Sequence, residues 1–115
     1  MGTAEKLDVF KKAHKLTIEL YKRTSNFPDR EKYGLVSQIR RASYSINANL
    51  MEGSHRNGDG EYKQFAGIAR GSAGELKYHL LLAKDLNYLS EQEYSKFKVQ
   101  LEEISRMLAG LINKL

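Results

Sequence analysis

Four stretches of the chain repeat an apolar or small side chain at alternating steps of three and four. The first runs through Phe10, Ala13, Thr17, Leu20, Thr24 and Phe27, and the second through Leu35, Ile39, Ala42, Ile46 and Asn49. The third uses Tyr62, Phe65, Ala69, Ser72, Leu76, His79, Ala83 and Leu86. The fourth uses Tyr94, Phe97, Leu101, Ile104, Leu108, Leu111 and Leu115. A mean step of about 3.5 residues is the seam of helices packed at shallow left-handed angles. No stretch alternates with a period of two, so strands are not expected.

The breaks between the stretches carry helix-ending chemistry. Phe27-Pro28-Asp29 holds the only proline, and Asp29 is placed to cap the second helix with Glu31 in its first turn. Gly53 to Gly60 reads as the longest connector. Asn87 is suited to end the third helix in a left-handed conformation. Ser90-Glu91-Gln92-Glu93 is a capping box, in which serine accepts from the Glu93 amide and Glu93 reaches back. Short turns at the first and third breaks make those neighbours antiparallel. The pattern predicts an all-α, up-down-up-down, left-handed four-helix bundle in one domain, residues 1–115. Its helices are expected near 8–26, 30–52, 60–87 and 90–114.

The third helix has more small and apolar surface than one seam uses. Gly67, Gly71, Gly74, Tyr78 and Leu81 fall on another face. Each interior glycine costs about 1 kcal/mol relative to alanine. Close approach of another backbone would offset that cost, either from a neighbouring subunit or from packing within the monomer.

Composition narrows the chemistry. The chain has 115 residues, 41% hydrophobic and 29% charged, with no cysteine, which excludes disulfide scaffolds, thiolate catalysis, zinc fingers and iron–sulfur sites. No apolar run approaches the roughly 20 residues that span a bilayer. The N-terminus lacks a signal-peptide stretch, and Lys6 breaks the myristoylation pattern, so a cytoplasmic protein without membrane attachment is expected.

Nothing points to an enzyme, a metal or a cofactor. Gly53 and Gly58 have the spacing of the outer glycines of a P-loop, but Asp59 stands where the lysine belongs and no strand precedes it. The histidines at 14, 55 and 79 show no metal-binding spacing, and no Glu-x-x-His motif occurs. Ser54 and His55 are adjacent without a third orienting group, and His79, in the third-helix seam, reads as a hydrogen-bonded core residue and not a ligand.

The net charge is +5, and residues 1–60 supply four of those charges. A basic balance favours an acidic partner such as RNA or DNA. Lys11, Lys12, Lys15, Lys22 and Arg23 lie on the first helix, and 11, 15 and 22 share one stripe. Arg40 and Arg41 lie in the second helix and Arg56 in the connector. These basic groups read either as a solvated face or as a phosphate-tracking stripe of Lys11, Lys15, Lys22, Arg23, Arg40, Arg41 and Arg56. Tyr33, Tyr44 and Tyr62 are candidates to stack on bases beside it. Arg70 abuts the glycine face, where a pairing with Glu52 or Glu75 at a helix or subunit interface is expected.

Two runs of residues carry a family resemblance. One is Gln38-Ile39-Arg40-Arg41-Ala42 with Ser45-Ile46-Asn47-Ala48-Asn49-Leu50-Met51-Glu52-Gly53. The other is Ala69-Arg70-Gly71-Ser72 with Glu75-Leu76 and Ala83-Lys84-Asp85-Leu86-Asn87-Tyr88-Leu89. Over Val9 to Leu115 the chain resembles the four-helix-bundle proteins encoded in intervening sequences of bacterial 23S ribosomal RNA genes. The resemblance implies a ring-forming homo-oligomer, a pentamer, and a similarity to the accessory proteins of diversity-generating retroelements. Those associate with a reverse transcriptase and bind nucleic acid. The resemblance therefore implies RNA, or a reverse transcriptase or other RNA-handling protein, as partners beside the chain itself. It brings no catalytic residues. The matching positions Asn49, Glu52, Gly53, Arg70, Gly71, Ser72 and Glu75 are expected to serve packing and interfaces, together with Gly67, Gly74 and Tyr78. Asn47 stands where the family commonly has proline, Gly74 where alanine is usual, and Asn87 where glycine is usual.

Overall fold

The computed structural model describes residues 3–115. Met1 and Gly2 lie outside the described residues. Four helices follow in order: α1 (Asp8–Thr24), α2 (Leu35–Ser54), α3 (Asp59–Asp85) and α4 (Glu91–Lys114). Short 3₁₀ turns occupy Ala4–Lys6 and Asp29–Glu31. Among the described residues there is no strand, as the absence of period-two alternation predicts.

Cross-helix bonds show that every neighbouring pair is antiparallel. Asn47 of α2 donates to the Phe10 carbonyl of α1, and Thr17 of α1 donates to the Ser43 carbonyl of α2. Ser45 meets Ser72 and Arg41 meets Glu75 between α2 and α3. Lys77 meets Glu102 and Lys84 meets Glu91 between α3 and α4. Lys12 meets Glu103 and Arg23 meets Glu93 between α4 and α1. The helices therefore close a square in chain order.

The core is a stack of aliphatic layers. Leu16, Leu20, Ile39, Ile46, Leu50, Leu76, Leu80, Leu101, Ile104 and Leu108 are fully enclosed. The seam of α4 is the one its periodicity predicts, buried at Tyr94, Phe97, Leu101, Ile104 and Leu108. The seam of α3 is rotated from the expected one. The helix buries Ala66, Ala69, Ala73, Leu76, Leu80 and Ala83, while Ser72 and His79 are half-buried and Leu86 is exposed. Both rows share Ala69, Leu76 and Ala83, and the small alanines of the other row admit neighbouring backbones more closely than Tyr62 or Phe65 could.

Helix ends follow their local chemistry. The capping box at Ser90 forms as expected, with Glu93 N donating to Ser90 Oγ at 3.0 Å and Ser90 N to Glu93 Oε1 at 2.9 Å. Asn87 takes φ 66°, and its amide and that of Tyr88 donate back to Lys84 and Ala83 carbonyls in a Schellman closure. The start of α2 differs from expectation. Asp29 does not cap it; Asp29–Glu31 forms a 3₁₀ turn, and Glu31 Oε1 accepts from the Leu35 amide at 3.2 Å. At its other end α2 continues through Gly53 to Ser54, so Gly53 is a buried helical residue and not the opening of the connector. A β-carbon there would lie 2.8 Å from Phe65 Cβ, so glycine permits the close approach of α2 and α3.

Candidate nucleic-acid interface

The seven basic candidates divide into two kinds. Lys11, Lys15 and Lys22 project from the outer face of α1, all exposed, and none joins an ion pair among the described residues. Helical steps of four and seven align them, with Ile18 exposed between them. Their neighbours on the flank facing α4 are consumed. Lys12 Nζ lies 2.8 Å from Glu103, and Glu19 accepts from Lys96 Nζ and Gln100 Nε2, each at 3.2 Å. Burial works against the Glu19 carboxylate, but the bonds from Gln100 and Lys96 outweigh it and its pKa falls below the ordinary value.

The arginines are engaged within the fold. Arg23 turns toward α4, where Nε lies 2.5 Å and Nη2 3.1 Å from the two oxygens of Glu93, and Nη2 also donates to the Tyr88 carbonyl at 2.8 Å. Arg40 donates to Thr24 Oγ1 and to the Tyr21 carbonyl, each at 3.0 Å, with its guanidinium 4.6 Å from the Tyr21 ring centroid. Arg41 donates to Gln38 and reaches Glu75 at 3.4 Å, yet stays more than half exposed. Arg56 lies over the Phe65 ring at 5.0 Å and 3.7 Å from Glu52, and is also half exposed. Arg41 and Arg56 thus keep outward-facing donors, whereas Arg23 is fastened on both sides.

The connector is shorter than its sequence implies, spanning His55 to Gly58. Gly58 takes φ 90°, and the Asn57 amide donates to Glu61 at 3.1 Å. Its free amides are few, because the His55 and Arg56 amides already donate to Glu52 and Gly53 carbonyls. Among the described residues no group of three or more histidines and carboxylates is placed to hold a metal ion.

Several motif residues form a polar seam between α2 and α3. Asn49 Nδ2 donates to the Ser45 carbonyl at 2.8 Å, and Ser45 and Ser72 hydroxyls pair at 2.8 Å. His79 Nε2 donates to Glu75 at 3.0 Å, so the expected hydrogen bond is present, but the side chain is half-buried beside the buried row of α3 and not in the core. Arg70 departs from expectation. It is exposed and pairs with neither Glu52 nor Glu75, which are taken by Arg56, Arg41 and His79.

The outer face of α3 is uncovered. A β-carbon at Gly67, Gly71 or Gly74 would meet nothing within 4 Å, so packing within the monomer does not offset the cost of these glycines. Ile68 and Tyr78 lie on this helix more than half exposed, and Tyr44 of α2 is nearly so.

Comparison with known proteins settles the family. Residues 5–110 match the family model described as 23S rRNA-intervening sequence protein. The chain belongs to that family. No curated protein matches it. The fold is also that of a protein of unknown function from the S23 ribosomal protein family of Bacteroides thetaiotaomicron VPI-5482, known from a crystal structure. That similarity has a TM-score of 0.80 at 24% identity, over 90% of this chain and 97% of the other. Asn87 shows how a residue other than glycine serves this turn in a member of the intervening-sequence family, since asparagine tolerates the left-handed φ that the turn needs. Asn47 donates to the Phe10 carbonyl at 2.8 Å and ties α2 to α1. Among the described residues no helix is long and apolar enough to cross a membrane.

Proposed function

We propose that this protein is a non-enzymatic, cytoplasmic, nucleic-acid-binding bundle that holds structured RNA through its backbone phosphates. The observation that carries the reading is the row Lys11, Lys15 and Lys22, exposed and unpaired on α1 while Lys12 beside them is neutralised by Glu103. An unpaired cation row attracts phosphate without reading bases. Arg41 and Arg56 add outward donors, and Arg23 and Arg40 serve the fold. Membership of a family named for ribosomal RNA intervening sequences favours RNA over DNA as the partner.

Self-assembly belongs to the same reading. The outer face of α3, with Gly67, Gly71, Gly74, Ile68 and Tyr78, seats a second copy, and a pentameric ring is the form the resemblance implies. The unsupported cost of three exposed helical glycines favours this.

The test is a titration of the sized, nuclease-treated protein against a labelled RNA hairpin and a DNA duplex at two salt concentrations. Binding that weakens steeply with salt supports the reading. Affinity independent of salt, or no binding at low salt, contradicts it. A second reading, a protein-interaction scaffold such as an accessory subunit of a reverse transcriptase or other RNA-handling enzyme, is favoured by the exposed apolar side chains of Tyr44, Ile68 and Tyr78. It expects an oligomer with weak nucleic-acid affinity of its own.

A further inference from the structure

The turn between α1 and α2 holds the most exposed of the large hydrophobic and aromatic side chains among the described residues. Tyr33 is 88% accessible and forms no hydrogen bond. An exposed aromatic at a floppy loop tip would mean little, but this turn is fixed from several directions. The Glu31 amide donates to the Pro28 carbonyl at 2.9 Å, Lys32 to Asp29 at 3.0 Å, and Gly34 to Glu31 at 3.0 Å. The Glu31 carboxylate then uses both oxygens, accepting from the Leu35 amide and from the Tyr88 hydroxyl at 2.9 Å. One side chain therefore locks the turn to the start of α2 and to the α3–α4 turn beside it. Tyr33 projects from a rigid frame, with the Lys32 ammonium 5.5 Å from its ring centroid.

The charge around it is strongly one-sided. Residues 21–41 contain six basic and two acidic side chains. One of the two, Glu31, is turned inward to the bonds just described. Lys22, Arg30 and Lys32 are exposed and form no ion pair among the described residues. Of the other acidic groups at this end, Asp29 is exposed at the start of the turn, and Asp85 and Glu91 flank Lys84 at the α3–α4 turn.

A ring held out in a fixed pose beside unpaired cations is what a base-stacking platform requires. The aromatic face takes a base, the ammonium groups take the adjoining phosphates, and rigidity removes the ordering cost. A base inside a continuous helix is already stacked and offers no face, so the target is a splayed nucleotide in a loop, bulge or end. Resting on the RNA-binding reading above, we infer that Tyr33 is a stacking platform for an unpaired nucleobase, and that the protein takes looped RNA in preference to continuous duplex. Lys22 marks the end of the α1 lysine row nearest this corner, so one strand running from stem to loop meets the phosphate row first and the ring second.

The experiment uses an RNA hairpin with 2-aminopurine in its loop and a fully paired RNA duplex of equal length, titrated with the wild-type protein, Tyr33→Ala and Tyr33→Phe. The wild type is expected to bind the hairpin more tightly and to quench the loop fluorophore. Tyr33→Ala should lose about tenfold or more on the hairpin and the quenching with it, with duplex affinity unchanged. Tyr33→Phe keeps the ring and should retain both; it also serves should the alanine variant fold poorly. Equal wild-type affinity for hairpin and duplex, or an alanine variant that binds and quenches like the wild type, overturns the platform while leaving phosphate binding intact. Failure of the wild type to bind either RNA at low salt removes the RNA-binding reading, and the platform with it.

Discussion

Arg23 and Glu93, seventy residues apart, form a two-pronged ion pair that joins the last turn of α1 to the first turn of α4. The same carboxylate closes the capping box with Ser90, and the same guanidinium holds the Tyr88 carbonyl. One contact therefore fixes the free edge of the bundle and the α3–α4 turn together. Arg23→Ala removes charge-assisted bonds of the stronger class and is expected to cost about 2 kcal/mol, read as a lower urea midpoint. Since Arg23 faces α4 and not the lysine row, its loss should leave RNA affinity within about twofold of wild type. A large affinity loss with unchanged stability would move Arg23 to the interface.

Acid should weaken this contact in a definite window. The Arg23 bonds, with the Ser90 amide next, hold Glu93 down from 4.5 to about 2. A carboxylate with a depressed folded-state pKa stabilises the protein above its unfolded value, and that stabilisation is lost as pH falls toward the folded one. The expected loss therefore runs from about pH 4.5 down to about 2. The site is partly open to solvent, and screening reduces the contribution to about 1 kcal/mol. In Glu93→Gln the dependence across that window should flatten by this amount in denaturation measured against pH. An equally steep profile in the variant would assign the acid sensitivity to other carboxylates.

Gly53 and Gly71 should respond oppositely to alanine. At Gly53 the new methyl group would lie 2.8 Å from Phe65 Cβ and 3.0 Å from Tyr62 Cδ1, between helices that cannot easily part. A cost of about 1–3 kcal/mol is expected, seen as a lower melting temperature. At Gly71 the single chain leaves open space, and alanine should raise stability by about 1 kcal/mol at dilutions where the protein is monomeric. If the α3 face seats a second copy, a bulkier Gly71→Leu should also lower the sedimentation coefficient toward the monomer. An unchanged oligomer in Gly71→Leu would place the assembly surface elsewhere.

The core was readable because its chemistry is local and periodic. Tyr94 to Leu108 repeats one apolar row with mostly polar residues between, Val99 and Met107 apart, so the row marks the buried face. In α3 the small residues are ambiguous: Ala66, Ala73 and Leu80 form one row and Ser72 and His79 another, and only packing against α2 and α4 decides between them. The start of α2 departs from the sequence pattern because Asp29 has capping chemistry, while Glu31, two residues later, reaches the amide that needs it. Lys22 and Arg23 show the limit for the candidate site. They are adjacent and alike in sequence, but one residue turns the side chain about 100° around the helix, so the first faces water and the second faces Glu93. Nothing local to either residue indicates which cation has a partner some seventy positions away.

The most direct test of phosphate binding is the RNA affinity of a triple charge reversal on α1. Lys11→Glu, Lys15→Glu and Lys22→Glu lie on an exposed face, so the fold should survive, and circular dichroism checks it. Each lost phosphate contact removes about 0.9 from the slope of log affinity against log salt in a B-form DNA duplex, so three contacts should remove roughly 2.7 there and a comparable part in structured RNA. The expected result is affinity lowered by at least about a hundredfold at low salt, with the salt dependence correspondingly flattened. Wild-type affinity and an unchanged salt slope in the reversed protein would contradict phosphate binding on α1.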